Sequence, residues 1–203
     1  MAVRRFSTSS IRTGTKSSKF WDQLTDLNSY ESIQTYTVTS GGAASITFSN
    51  IPATYKHLQL RYIARTTGSV TNSGTYMKFN GSSVGYQRNG GYAMYGTGGG
   101  GTPVGTNSWQ GTSTAGGAIG QTPGGNIGAS VFAGGVIDIL DYADTNKYTT
   151  AYTQSGYDNN GSGWVIGLSF HWENTAAVNE ILILPDNSLV QYSRFALYGI
   201  KGA

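Results

Sequence analysis

Apolar and polar residues alternate with a period of two over much of this chain. The clearest run is Trp164 to Trp172, with Trp164, Ile166, Leu168, Phe170 and Trp172 on one face and Val165, Gly167, Ser169 and His171 on the other. Successive strand side chains point to opposite faces, so this spacing predicts a strand with one buried side. Ser45 to Arg65 reads as two strands joined by a corner. Ile46 and Phe48 alternate with Ser45, Thr47 and Ser49; Pro52 breaks the run; Leu58, Leu60, Tyr62 and Ala64 then alternate with His57, Gln59, Arg61, Ile63 and Arg65. Further strands are predicted at Glu31–Thr39, Thr75–Phe79, Val131–Leu140, Lys147–Ser155, Ile181–Leu184 and Arg194–Ile200. Asn80-Gly81, Asn89-Gly90 and Asn160-Gly161 carry the residue pair that supplies the positive φ angles of tight hairpin turns. Eight to ten antiparallel strands separated by turn signals predict an all-β chain, an antiparallel β-sandwich of jelly-roll type.

Two segments depart from this pattern. Residues 1–29 are rich in Ser, Thr, Lys and Arg, with few apolar residues before Phe20 and Trp21, which predicts an extended N-terminal arm. Phe20, Trp21, Leu24 and Leu27 fall on one helical stripe, enough for an amphipathic turn or two. From Gly81 to Val131, 17 of 51 residues are glycine, Arg88 is the one charge, and Tyr86, Tyr92, Tyr95 and Trp109 are scattered among them. Core strands rarely have this composition, so residues 81–130 are read as a glycine-rich surface excursion from a single domain at 30–203.

Composition changes this picture in one respect, the location of charge. The net charge of +3 divides into +5 for residues 1–20, which hold Arg4, Arg5, Arg12, Lys16 and Lys19 and no acid, and −2 for residues 21–203. The basicity belongs to the arm. Charged residues are 11% of the chain, against about 25% in a typical soluble protein. At 203 residues one domain can bury roughly 70% of the surface that its unfolded chain exposes. The chain has no cysteine, which removes disulfides and thiolate metal sites. No apolar run approaches the roughly 20 residues needed to cross a bilayer, and the first residues lack a signal-peptide core, so no membrane association is expected.

Candidate chemistry is sparse. His57 and His171, the two histidines, both lie on the polar side of a predicted strand, and no paired-His metal spacing exists. His171-Trp172-Glu173 matches the first half of a deaminase signature whose cysteine half cannot occur here. Asp141, Asp144 and Asn146, and the stretch Asp158 to Ser162, offer oxygen ligands for calcium but read more simply as turns. Gly96 to Gly101 satisfies a dinucleotide-binding spacing without the strand, helix and acid that give it meaning. No nucleophile elbow or phosphate-loop lysine is present. No catalytic, cofactor or metal residue is assigned.

Several segments resemble a family of small virion structural proteins of tailed phages, especially those of marine bacteria and cyanobacteria. They are Ser29–Ile33, Gly41–Arg65, Gly135–Thr150, Ser155–Gly163, Asn174–Asp186 and Phe195–Lys201, together with a leading segment similar to the start of other such proteins. The resemblance implies a particle component and supplies no catalytic residues. It leads to the expectation of a non-enzymatic head decoration or cement protein, or a short tail-attached protein. Its arm would dock through Arg4, Arg5, Arg12, Lys16 and Lys19 to acidic capsid or tail proteins, and through Phe20 and Trp21 to an apolar groove. A homo-oligomer, with a trimer favoured, would raise avidity. The alternative is a carbohydrate- or host-receptor-binding module of a tail fibre, with Tyr86, Tyr92, Tyr95 and Trp109 stacking on a host surface glycan.

Overall fold

A computed structural model describes residues 30–83, 85–95 and 103–202, and the expected docking residues Arg4, Arg5, Arg12, Lys16, Lys19, Phe20 and Trp21 lie outside that range. Among the described residues twelve strands form two antiparallel sheets. They are β1 (Tyr30–Thr37), β2 (Ile46–Phe48), β3 (His57–Ala64), β4 (Asn72–Phe79), β5 (Tyr86–Tyr95), β6 (Pro103–Ser113), β7 (Gly117–Pro123), β8 (Ala133–Leu140), β9 (Thr149–Asp158), β10 (Gly163–Trp172), β11 (Ile181–Pro185) and β12 (Arg194–Ile200). The wide sheet runs β1-β12-β3-β8-β9-β10-β5-β6 and the narrow one β2-β11-β4-β7.

The pairing is nested: β2 with β11, β3 with β8, β4 with β7, β5 with β6. This is the arrangement of one long hairpin wrapped into two layers, which is a jelly roll. The β9–β10 hairpin is inserted into the wide sheet between β8 and β5, and β12 and β1 extend that sheet beyond β3. The core lies between the layers. Leu58, Leu60, Ile137, Ile139, Phe170, Trp172, Phe195 and Leu197 of the wide sheet meet Ile46, Phe48, Met77, Phe79, Ile119, Ile181 and Ile183 of the narrow one, all buried.

The expected corner within Ser45–Arg65 is where the chain crosses from one layer to the other. Tyr142, fully buried, pins it by donating its hydroxyl to the Pro52 carbonyl and accepting from the Tyr55 amide. Asn160-Gly161 makes the expected hairpin between β9 and β10, with φ of 53° and 94°. Asn80-Gly81 is a tight turn, with φ of 50° and 64°, but not a hairpin, because it carries the chain from β4 in the narrow sheet to β5 in the wide one. Its Asn80 side chain accepts from the amides of Asn179 and Glu180 and donates to the Ala177 carbonyl, so the pair is committed to a crossover. Asn89-Gly90 is not a turn at all. It lies inside β5, hydrogen-bonded on both sides, where a Cβ on Gly90 would collide with Leu168.

Residues 81–130 are not a surface excursion; they supply β5, β6 and β7. β7 is buried along its whole length. Its glycines are there because the strand runs hard against the opposite layer: a Cβ on Gly117 would overlap the Phe170 ring, and Gly120 faces the hydroxyls of Tyr62 and Ser155. A strand built from small residues loses the alternation by which strands are recognised.

Candidate functional site

Among the described residues nothing covers the outer face of the wide sheet over β12, β3 and β8, and this face carries Arg61, Arg194 and Tyr198. Strand parity puts Arg61 and Ile63 of β3 on this face, opposite to Leu60 and Tyr62, which enter the core. The register then sets Tyr198 beside Gln59 beside Asp138, Ala196 beside Arg61 beside Val136, and Arg194 beside Ile63 beside Gly134. Just past the strand ends follow Tyr192, Arg65 and Phe132. The result is a lane along the strands with Arg61, Arg194 and Arg65 on it and one carboxylate, Asp138, at its far end.

Arg61 is held in place from three directions. Its guanidinium carbon lies 5.6 Å from the ring centroids of both Tyr30 and Tyr198, the range of favourable cation–π contact. Its Nε donates to Gln59 Oε1 at 2.7 Å, and Gln59 Nε2 donates to Asp138 Oδ1 at 2.7 Å. Fixing a guanidinium between two rings removes much of the rotamer entropy that an exposed arginine would lose on binding a partner. Two depressions indent the lane. One, of about 260 Å³, lies over Arg61, Ile63, Arg194 and Tyr198; the other, of about 480 Å³, lies at the end beside Arg65 and Tyr192. A cationic, aromatic and open surface suits recognition of acidic or planar partners.

A second charged cluster closes the opposite end of the same strands. Asp141, at φ 48°, accepts from Lys147 and, at 2.9 Å, from Lys56. Hydrogen bonds from Lys147 and then Lys56 outweigh partial burial and hold its carboxyl down at about 2, below the ordinary 3.8. Its backbone amide donates to His57 Nδ1 at 3.0 Å. Because the folded value is depressed, the stabilisation is full above the unfolded value and is lost as pH falls from about 4 through about 2. Both lysines are more than half exposed, so the contribution is screened to about 1 kcal/mol. Asp141→Asn should therefore lose about that much stability at pH 7, and should flatten the acid limb of a urea-denaturation series from pH 5 to pH 2.

Among the described residues no group of three or more His, Asp or Glu is placed to hold a metal ion. The two stretches weighed for calcium are turns: Asp144 Oδ1 accepts from the amide of Asn146, and Asp158 Oδ1 from that of Gly161. His171 stacks on Tyr148 at 5.8 Å on the outer face.

Of the four aromatic residues expected to contact a ligand, Tyr86 is the one whose side chain is described. Tyr86 is a core residue with no exposed surface, its hydroxyl accepting the Phe79 amide at 2.7 Å, and burial pushes its phenol up to about 12. It is unavailable for stacking on a ligand because Trp172 and Phe170 already cover its ring. Tyr92 and Tyr95 lie on β5 and Trp109 on β6; their side chains are outside the described residues. The lane residues were visible in sequence only as the polar side of β3. What gathers them is the pairing of β3 with β12 and β8, which local periodicity does not contain.

Comparison with protein-family models, curated proteins and solved structures gives no match for this chain.

Proposed function

We propose that this chain is a non-enzymatic structural protein of a bacteriophage particle, a head decoration or cement protein or a short tail-attached protein, with its jelly roll mounted on the virion by residues 1–29. The observation that carries this reading is the division of the chain. The nested strand pairing is completed within residues 30–202, while five basic residues and no acid are concentrated in residues 1–20. The docking partner is an acidic surface of other capsid or tail proteins, with Phe20 and Trp21 entering an apolar groove. The protein assembles as a homo-oligomer, with a trimer favoured, because joining weak arms multiplies avidity.

Deletion of residues 1–28 tests this directly in an infected or reconstituted particle preparation. The truncated protein is expected to fall at least about tenfold in particle incorporation, in line with the loss of multivalent docking. Incorporation at the normal level refutes arm docking.

The lane on β12, β3 and β8 favours a second role compatible with the first: contact of the exposed head with a host surface glycan. Here the stacking residues are Tyr30, Tyr198 and Tyr192, in place of the buried Tyr86.

A further inference from the structure

The depression at the end of the lane has a feature that core packing leaves unexplained. Arg65 is 7% exposed, yet among the described residues it has no carboxylate partner. A buried charge without a counter-charge is costly. The cost is reduced by three backbone carbonyls: Nη1 donates to Gly128 at 2.8 Å and to Val131 at 3.3 Å, and Nη2 donates to Ile127 at 2.8 Å. A guanidinium carries five N–H groups, so two of them, one on Nε and one on Nη2, lack an acceptor among the described residues. Carbonyl dipoles stabilise the cation without neutralising it.

The backbone of Arg65 ties in the other wall of the depression. Its carbonyl accepts from the Val190 amide at 2.9 Å and the Ser193 hydroxyl at 3.2 Å, and its amide donates to the same hydroxyl at 3.2 Å. Between these anchors Tyr192 is held at a φ of 73° and remains 71% exposed. A bulky residue in this region is strained by about 1–3 kcal/mol and is kept there only where the surroundings impose it. An exposed, strained tyrosine beside a buried and unneutralised arginine is the arrangement of a binding site, since packing alone gains little from an exposed ring. Phe132 adds a second aromatic wall, and Ser130 and Gln191 add hydroxyl and amide groups at the rim.

We propose that this depression binds a carboxylate-bearing sugar unit, a uronate residue of an acidic polysaccharide. The carboxylate takes the two open N–H donors of Arg65, Tyr192 covers an apolar face of the ring, and Ser130 and Gln191 bond ring hydroxyls. The volume of about 480 Å³ falls in the range of small-ligand sites. No carboxylate lines it, so an anionic ligand meets no like charge there. The proposal rests on the glycan-contact reading above and names its ligand class and its residues.

The test is titration of the full chain with an oligogalacturonate and with its carboxyl-reduced neutral counterpart, followed by backbone amide shifts and repeated with Tyr192→Ala and Arg65→Lys. Expected are shifts centred on residues 128–132 and 190–193 and binding of the acidic oligomer at least about tenfold tighter than the neutral one, the worth of a charge-assisted contact. Tyr192→Ala, on the surface and free of core contacts, should weaken binding by about fivefold to tenfold. Arg65→Lys, which keeps the charge but not the planar fork, should erase most of the preference for acid. Equal binding of both oligomers, or unchanged binding by Tyr192→Ala, overturns the proposal. Shifts mapping instead to Tyr30 and Tyr198 overturn it while leaving glycan contact standing; absence of any binding removes both.

Discussion

Tyr86→Ala is expected to lower the unfolding free energy by about 3–5 kcal/mol, the range for deleting a large buried aromatic. The ring of Tyr86 is stacked on Trp172 at 6.5 Å and meets Phe170 edge-on at 6.2 Å, and both of these also contact Phe79. The four rings form the contact between β10 and β5 of the wide sheet and β4 of the narrow one, so removing one opens a cavity between the layers. The hydroxyl makes a separate contribution, because the Phe79 amide has it as an acceptor at 2.7 Å; Tyr86→Phe should cost about 1–2 kcal/mol from that loss alone. Urea denaturation of the two variants measures both numbers. A loss under about 1 kcal/mol for Tyr86→Ala would place the ring outside the core and return it to the list of ligand contacts.

The second large effect is at Arg65. Arg65→Met keeps an unbranched apolar stem, ends short of the guanidinium and removes all three hydrogen bonds to Ile127, Gly128 and Val131. Hydrogen bonds to a charged donor are worth about 1.5–3 kcal/mol each. Two opposing terms reduce the total: the desolvated charge disappears, and carbonyls in an open-sided loop regain water. A net loss of about 2–3 kcal/mol is expected. It should be accompanied by faster amide exchange at Ile127 and Val131, whose amides donate to Gly124 and Gly128 within the same loop. Unchanged stability and exchange would mean that the loop holds its shape without the guanidinium.

Much of the fold was legible along the chain, and the losses have physical causes. β10 was readable because it has one face of large residues and one of mostly small or polar ones, and the bounds predicted for β12, Arg194 and Ile200, are those observed. The corner at Pro52 was readable because two alternating runs flank a residue that cannot continue a ladder. β7 was not, since tight approach of the layers replaces its large residues with Gly117, Ala118 and Gly120 and so removes the alternation. Gly90 has a different cause, close approach of the neighbouring strand β10 in the same sheet, and its neighbour Asn89 made it look like a turn. Tyr86 was misassigned for a related reason: within a glycine-rich stretch nothing local distinguishes a ring that fills the core from one that meets solvent. The lane was half legible. Strand parity set Arg61 and Arg65 apart from the core, but their neighbours Tyr30, Tyr192, Arg194 and Tyr198 come from the two ends of the domain.

The proposed docking role sets two kinds of charge side by side. Residues 1–20 hold five basic residues and no acid, whereas the lane sets Arg61 between two rings. Clustered charge of one sign favours rapid, non-specific attraction to an acidic surface. Charge fixed by rings and hydrogen bonds favours a partner of defined shape.

The proposed place of this chain in a phage particle is checked by locating it on purified virions. Immunogold labelling with antibody raised against residues 30–203 should decorate the outside of intact particles, on head or tail, with the protein retained through density-gradient purification. Unlabelled particles from which the protein has washed away would contradict the claim.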